Sequence, residues 1–318
     1  MTAPTPAITG PVSTHWVLKA NNLTKRYGPG CLYCASLTGP EHNTSRCRVC
    51  GTVTACTGVN FELDQGDILG IVGESGSGKS TVMQLVNLSN PAEAGELLYR
   101  EVSSSKFQVG DSDTKPETHD SEPDTWNLKL ETPALDLFGL DKHARRVFRN
   151  EHLGIVYQTP QQGLNMNFTV GGNVAEKLLL ARWRNVGQIR QRTSQLMNLT
   201  ELPPERIDDD PRTFSGGMLQ RVQISKALSN NPALLLLDEV TSGLDLSVQA
   251  RVLDLIRRIQ WELKITMLLV SHDLGVIKQL ASRTLVMKNG QVVESGLTDQ
   301  ILEDPQHSYT QLLVSSAL

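Results

Sequence analysis

Short apolar runs bounded by turn residues punctuate this chain. Phe61–Leu63 and Ile68–Val72 flank the turn signal Asp64–Asp67, which predicts two strands, the second buried on both faces. Val17–Tyr27 reads as an earlier strand and turn. Further strand-like runs at Gly154–Tyr157, Ala233–Leu237 and Thr266–Val270 alternate with helical patterns over Val170–Leu199, after Ser215, and over Val248–Leu263. Alternation of this kind predicts an α/β fold with a mainly parallel sheet covered by helices. Near the end, Thr284–Met287 and Gln291–Glu294 flank Lys288-Asn289-Gly290, whose Asn-Gly pair signals a hairpin, so a small antiparallel piece is expected to close the domain. No internal repeat interrupts this order.

Composition narrows the class without naming it. A chain of 318 residues with 39% apolar content can bury a sizeable core, which excludes a disordered or fibrous protein. No apolar run approaches the roughly 18 to 20 residues that cross a bilayer. Met1–Thr14 is Pro/Thr-rich with neither a basic nor an apolar leader region, and is expected to be a disordered tail on a cytoplasmic protein. The net charge of −4 is uneven: Glu101–Thr125 carries Glu101, Asp111, Asp113, Glu117, Asp120, Glu122 and Asp124 against Lys106 and Lys115, a balance of −5. That segment is expected to be a flexible acidic insertion, and the near-neutral remainder has no basic footprint, so no nucleic acid partner is expected.

The chemistry begins after the run Ile68–Val72. Gly73-Glu74-Ser75-Gly76-Ser77-Gly78-Lys79-Ser80 fits G-x-x-x-x-G-K-[ST] between a strand and a helical stretch, Thr81–Leu88. Glycines there let backbone N–H groups converge on phosphates, the helix start adds positive potential, Lys79 reaches the terminal phosphates, and Ser80 is placed to ligate Mg²⁺. The bland alternative, a Gly/Ser turn that only caps a helix, does not need all eight positions. Leu234-Leu235-Leu236-Leu237-Asp238-Glu239 is a buried strand delivering two carboxylates at its C-terminal end, where open α/β sheets bind ligands. Asp238 is the candidate Mg²⁺ holder and Glu239 the candidate base or orienter for an attacking water. In Phe214-Ser215-Gly216-Gly217-Met218-Leu219-Gln220, Ser215 is a good helix N-cap and the glycines permit close approach of a phosphate.

Taken together, these motifs resemble the ATP-binding-cassette (ABC) family over nearly the whole chain. The resemblance implies a P-loop NTPase fold spanning 15–318, with a mainly parallel central sheet, an antiparallel β piece and a helical subdomain carrying the signature motif. It implies that Tyr27 stacks on adenine, that Gly73–Thr81 bind ATP, and that Gln158 acts at the Q-loop and on Mg²⁺ beside Ser80 and Asp238. It further implies that Ser215, Gly216, Gly217 and Gln220 reach the opposite subunit's ATP, that Asp245 belongs to the D-loop, and that His272 is the switch histidine. Glu239, His272 and Gln158 are then the catalytic set of an ATPase working as a dimer with a second ABC subunit, most simply a homodimer. Three positions depart from the family pattern, Phe214, Met218 and Val240, and none removes a phosphate ligand.

Leu244–Arg251, Ser271–Val276, Val286–Asp299, Arg206–Asp209, Gly171–Asn173 and Asp304–Ser316 are similar to the ABC subunit of the bacterial carbon–phosphorus lyase system. This likeness implies docking on the lyase core complex, with a sister ABC protein as a further partner, in phosphonate catabolism. The Pro-x-His-x-Tyr-Thr tail at Pro305–Thr310 also resembles dipeptide and oligopeptide importer ATPases, which work on a membrane permease; nickel and phosphonate importers belong to the same alternative. A non-hydrolytic regulatory module is a third class, against which intact Glu239 and His272 argue.

Cys31-x-x-Cys34 and Cys47-x-x-Cys50 form a C-x₂-C-x₁₂-C-x₂-C array inside an insertion at 31–56, a spacing that suits tetrahedral Zn²⁺. Paired thiols or two unrelated turns are the alternatives, His42 is a lesser ligand candidate, and Cys56 reads as a buried small apolar residue. The array follows Tyr27 and precedes the strand before the phosphate-binding loop, so it is expected to form a knob on the adenine side.

Overall fold

The computed structural model describes residues 16–101 and 133–317. The expected tail at 1–14 and the acidic insertion beyond Glu101 therefore lie outside the described residues. In chain order the strands are β1 (Trp16–Tyr27), β2 (Val53–Asp64), β3 (Ile68–Val72), β4 (Ala94–Tyr99), β5 (Leu135–Asp136), β6 (Leu153–Val156), β7 (Leu234–Asp238), β8 (Thr266–Val270), β9 (Arg283–Lys288) and β10 (Gln291–Leu297). A four-stranded antiparallel sheet runs β2-β1-β4-β5, and a six-stranded sheet runs β10-β9-β3-β8-β7-β6. All neighbours in the second sheet are parallel except β10, which turns back along β9.

The parallel strands are apolar throughout because both faces of their sheet are covered. Side chains alternate across a strand, and here the alternation sorts them into two cores. Ile68, Val72, Leu235, Leu237, Met267 and Leu269 face one core, with Val252, Ile256 and Ile259 of helix Leu246–Leu263. Leu69, Ile71, Leu234, Leu236, Leu268 and Val270 face the other, with Leu18, Phe61, Leu63 and Leu97 of the antiparallel sheet. Helix Lys79–Val86 lies in this second core and buries Val82, Leu85 and Val86. Burial at roughly 1.5–3 kcal/mol per large side chain anchors the helix that the phosphate-binding loop opens.

A third core belongs to a helical unit. Leu164, Val170, Met197, Leu202, Ile207, Phe214, Leu219 and Val222 form it beneath helices Val170–Leu180, Val186–Leu199 and Gly216–Ala227. Phe214, a departure from the family pattern, is one of its buried residues, and the Arg206 guanidinium stacks 4.1 Å above its ring.

The structure adds detail to two expectations. The single helical region over Val170–Leu199 is two helices: Arg182 takes a left-handed conformation (φ 67°) and Asn185 caps the second helix by accepting from Gln188 N at 3.1 Å. The hairpin at Asn289-Gly290 forms, with both residues at positive φ, and supplies the antiparallel piece by running β10 against β9 at the edge of the parallel sheet, but it does not close the domain. The chain then continues into helices Thr298–Glu303 and Ser308–Ala317. Among the described residues, no helix is long and apolar enough to cross a membrane.

Candidate active site

Gly73–Gly78 joins β3 to helix Lys79–Val86 in a turn that glycine alone can make. Gly73 and Gly78 stand at φ +149° and +109°, and a Cβ on either would lie 2.1 Å from the Met287 carbonyl oxygen or 2.2 Å from that of Ala55. No side chain caps the helix. Ser215, Asp245, Asp273 and Thr169 do cap theirs. An uncapped N-terminus leaves its first N–H groups for an anionic ligand.

Lys79 is only 5% exposed, and its Nζ donates to Gly73 O at 2.7 Å and Glu74 O at 2.9 Å. Burial pulls its ammonium below the usual value, against the attraction of Glu239, Asp238 and Glu74. A partly desolvated cation satisfied by its own loop's carbonyls fits an incoming polyphosphate. Glu74 N donates to Tyr309 Oη at 3.0 Å, so the C-terminal helix braces the loop from 235 residues away.

Strand β7 ends at Asp238, and burial followed by the neighbouring Glu239 raises the Asp238 carboxyl above the usual range, with Lys79 opposing. Glu239 leaves the strand with φ 46° while its N–H still donates to Val270 O at 2.9 Å. A left-handed glutamate costs energy that a purely structural turn would avoid with glycine or asparagine. Its Oε2 accepts from Gln158 Nε2 at 2.9 Å and lies 3.2 Å from His272 Nδ1. Gln158 Nε2 also donates to Ser242 Oγ at 3.3 Å. The residues after β6, β7 and β8 thus meet at one carboxylate oxygen, beside a cleft of about 180 Å³ lined by Ser242, Gly243, Gln249, His272 and Asp273. His272 is held in place because Ser271 N donates to Ile71 O and Asp273 caps the next helix through Gly275 N at 2.7 Å.

Other candidates lie further out. Tyr27 ends β1, 43% exposed as a residue, with its Oη accepting from Asn90 Nδ2 at 3.2 Å, so the tip of an exposed side chain is held. Ser75, Gly76 and Ser80 are exposed along the loop, with Thr81 half-buried behind them. Ser215 caps helix Gly216–Ala227 with exposed Gly216 beside it, and Gly217 approaches helix Leu246–Leu263 so closely that a Cβ would lie 2.3 Å from Val248 Cγ1. Among the described residues no hydrogen bond joins Ser215–Gln220 to Gly73–Thr81, so one chain does not bring these two motifs together.

Gln220 and Asp245 are engaged in ways their motifs did not announce. Gln220 is 2% exposed, and its Nε2 donates to Tyr157 O at 3.5 Å, so its side chain faces inward in its own chain. Its neighbour Gln223 accepts from Tyr157 N at 3.0 Å and donates to Tyr157 O at 3.2 Å, which clamps the residue before Gln158 to the signature helix. Asp245 caps helix Leu246–Leu263, and the Ser247 hydroxyl and the N–H groups of Val248 and Ser247 hold its carboxyl below the usual range. Gln223 carried no sequence signal, whereas Ser242 was legible only as the start of the D-loop stretch Ser242–Asp245 and Tyr309 only as part of the Pro-x-His-x-Tyr tail.

Cys31, Cys34, Cys47 and Cys50 come together in the loop between β1 and β2, with every ligand atom within 4.8 Å of the others. His42 is not among that group. Cys56 is fully buried in β2, opposite Lys25 of β1, so the excursion from the sheet spans 28–52 and the return strand is longer than Phe61–Leu63.

Comparisons with known proteins agree with this arrangement. The ABC transporter family matches residues 56–242. The chain is 40% identical over 302 residues to a protein of Escherichia coli (strain K12) named for phosphonates utilization, the ATP-binding protein PhnK, covering 95% of this chain and 98% of that one. It is 35% identical over 268 residues to the oligopeptide transport ATP-binding protein OppD of Bacillus subtilis (strain 168), covering 84% of this chain and 67% of that one. In three dimensions it resembles the ATP-binding cassette MJ0796, solved as a dimer in a post-hydrolysis state with ADP and Pi, at a TM-score of 0.65 and 24% identity over 88% of this chain and 98% of that one. The chain belongs to the ABC transporter family of ATP-binding cassettes and is an ABC ATPase.

Proposed function

We propose that this protein is the cytoplasmic ATP-hydrolysing subunit of a phosphonate-utilization system, working as a dimer docked on a carbon–phosphorus lyase core. The observation that carries this reading is the 40% identity to PhnK, which extends over 98% of that protein's length. The alternative, the ATPase of an importer coupled to a membrane permease, is favoured by the 35% identity to OppD, of which 67% is covered.

The geometry supports the catalytic part of this reading. Gly73–Thr81 cradle the phosphates of ATP, Lys79 turns from its own carbonyls to the terminal phosphates, and the ring of Tyr27 takes the adenine. Ser80, Asp238 and Gln158 would hold Mg²⁺, which neutralises charge on the β- and γ-phosphates when bound. Glu239 orients the attacking water and accepts its proton, and its carboxylate is held for that task by Gln158 and His272. His272 is exposed and available to meet the γ-phosphate. Ser215 and Gly216, exposed at the start of their helix and not hydrogen-bonded to their own chain's loop among the described residues, complete the site of a second subunit, with N–H groups of their helix start toward its γ-phosphate. Asp245 acts there by shaping the helix start.

The reading is tested in the host cell. An in-frame deletion abolishes growth on an alkylphosphonate as sole phosphorus source but not on inorganic phosphate, and the affinity-tagged chain co-purifies with soluble lyase subunits. Growth retained on phosphonate, or co-purification with an integral-membrane permease, selects the importer instead.

A further inference from the structure

Residues 28–52 leave the antiparallel sheet after Tyr27 and rejoin it at Val53, yet none of their side chains belongs to any of the hydrophobic cores. Leu32 is 96% exposed, and Tyr33 and Val49 are also exposed. The stretch is mostly loop, with one short helix, Cys34–Leu37, and one 3₁₀ turn, Pro40–His42. A segment this poor in buried apolar area requires another staple. Its buried side chains are Cys34, Cys47, Thr38 and Thr52.

The cysteines have the spacing of a metal cage and not of a disulfide. Sγ–Sγ distances are 3.6 Å for Cys31–Cys34, 3.7 Å for Cys31–Cys47 and 3.4 Å for Cys34–Cys50, and all four thiols are free. A disulfide brings its sulfurs to about 2.05 Å. A tetrahedron with metal–sulfur bonds of about 2.3 Å sets them about 3.8 Å apart. Each pair sits on a tight turn: Cys34 N donates to Cys31 O at 3.2 Å, and Gly51 N donates to Cys47 O at 2.9 Å with Gly51 at φ 74°. Outer hydrogen bonds are in place as well. The Thr52 hydroxyl accepts from Gly30 N at 2.9 Å, which leaves its own proton for Cys50 Sγ, 3.2 Å away. Arg46 Nε donates to Gly51 O at 3.4 Å, placing a cation beside a centre that four thiolates make anionic.

This cage is fastened to the nucleotide loop. Gly28 and Thr52 touch so closely that a Cβ on Gly28 would lie 2.8 Å from Thr52 Oγ1, and Tyr27 pairs with Val53 directly behind them. Thr54 N donates to Ser45 O at 2.7 Å and Thr54 Oγ1 accepts from Thr38 Oγ1 at 3.1 Å. The next carbonyl, Ala55 O, is the one that forms the wall against Gly78. Thr57 N donates to Gly290 O, and Gly290 N to Ser77 O. A continuous backbone path therefore runs from the cysteines to Tyr27 on one side and to the phosphate-binding loop on the other.

We propose that Cys31, Cys34, Cys47 and Cys50 bind one zinc ion as four thiolates, and that this ion fixes Tyr27 and the start of β2, so that its loss weakens ATP binding. The second half rests on the assignment of Tyr27 to adenine. Without the ion nothing apolar holds residues 28–52, the Gly28–Thr52 contact opens, and the ring of Tyr27 loses its fixed pose.

The test uses the full chain purified under reducing conditions without added metal. Elemental analysis is expected to find about one zinc per chain, and Co²⁺ exchanged into the site to give the thiolate charge-transfer and d–d bands of a tetrahedral Co(II)S₄ centre. Stripping zinc from the native protein with a thiol-reactive mercurial and a chelator, then regenerating the thiols, is expected to raise the equilibrium Kd for ATP by at least about fivefold, the loss expected when base–aromatic stacking is impaired. Returning zinc restores the affinity, and a Cys31→Ser/Cys50→Ser double variant matches the stripped protein. Native protein without zinc and with four freely titrating thiols overturns the metal site. Zinc at one per chain with an ATP Kd that stripping does not move overturns the coupling. Zinc-loaded protein that binds no ATP overturns the nucleotide assignment and the coupling together, and leaves the metal site standing.

Discussion

Gln158 Nε2 and Glu239 Oε2 are hydrogen-bonded at 2.9 Å, although 81 residues separate them and they leave different strands of the parallel sheet. His272 closes on the same oxygen from a third strand at 3.2 Å. The carboxylate is therefore oriented by side chains from two other strands of the sheet.

Replacing Gln158 by Ala removes one of these two supports and leaves the phosphate-binding loop untouched. The turnover number is expected to fall by up to about 100-fold, the cost of a slightly misplaced catalytic group. The ATP Kd should remain within about threefold of the parent, because the cradle of backbone N–H groups is intact. Steady-state phosphate release together with equilibrium ATP binding separates the two effects. A variant that loses binding and keeps turnover would contradict the positioning role.

Tyr27 offers a ring more than a hydroxyl, since among the described residues its Oη bonds only Asn90. Tyr27→Phe should keep the ATP affinity, whereas Tyr27→Ala should raise the Kd at least about fivefold through loss of stacking. GTP and ATP titrations of both variants check this, and equal losses in the two would place the effect on the hydroxyl.

Gln223 holds Tyr157 by both backbone groups. Gln223→Leu keeps the volume and orphans the Tyr157 N–H, which costs about 1–3 kcal/mol. The carbonyl keeps Gln220 as a donor. The urea midpoint should fall accordingly and hydrolysis should slow, because Tyr157 precedes Gln158. Unchanged stability and unchanged turnover would show that the clamp is dispensable.

Lys177 supplies a pH signature. Burial, with Lys226 nearby and Glu176 opposing, brings its ammonium down to about 8. The unfolded chain then binds the extra proton between pH 8 and the ordinary lysine value, so stability from this group is least below pH 8 and rises as the pH increases through that window. Lys177→Met should flatten this part of the profile. Urea unfolding at several pH values, with parent and variant compared, reads the difference; parallel profiles would dismiss Lys177 as its source.

Much of the site could be read directly from the chain. Ile68–Val72, Leu234–Leu237 and Thr266–Val270 are unbroken apolar runs because each is covered on both faces, and the chemistry sits at their C-terminal ends as topology requires. Strand β4 was not legible, because Ala94–Glu96 are exposed and only Leu97 and Tyr99 face the core. Strand β2 was only partly legible: it meets β1 through several register shifts, so Val53–Asn60 carry no clean alternation. The break at Arg182 was hidden by an apolar pattern that continues to Leu180. Tyr309 reaches Glu74 across the whole domain, a contact that local patterning cannot encode. Gln220 carried the family motif, yet the helix turns it inward to Tyr157.

The central claim is a composite ATPase whose chemistry depends on Glu239. Glu239→Gln keeps the side-chain shape and the capacity to accept from Gln158 while removing the base. Light scattering on this variant with MgATP, with bound nucleotide quantified, is expected to find a dimer holding two ATP molecules and hydrolysis reduced by about 10²–10⁴-fold. A variant that stays monomeric with ATP, or that hydrolyses at the parent rate, would contradict the account.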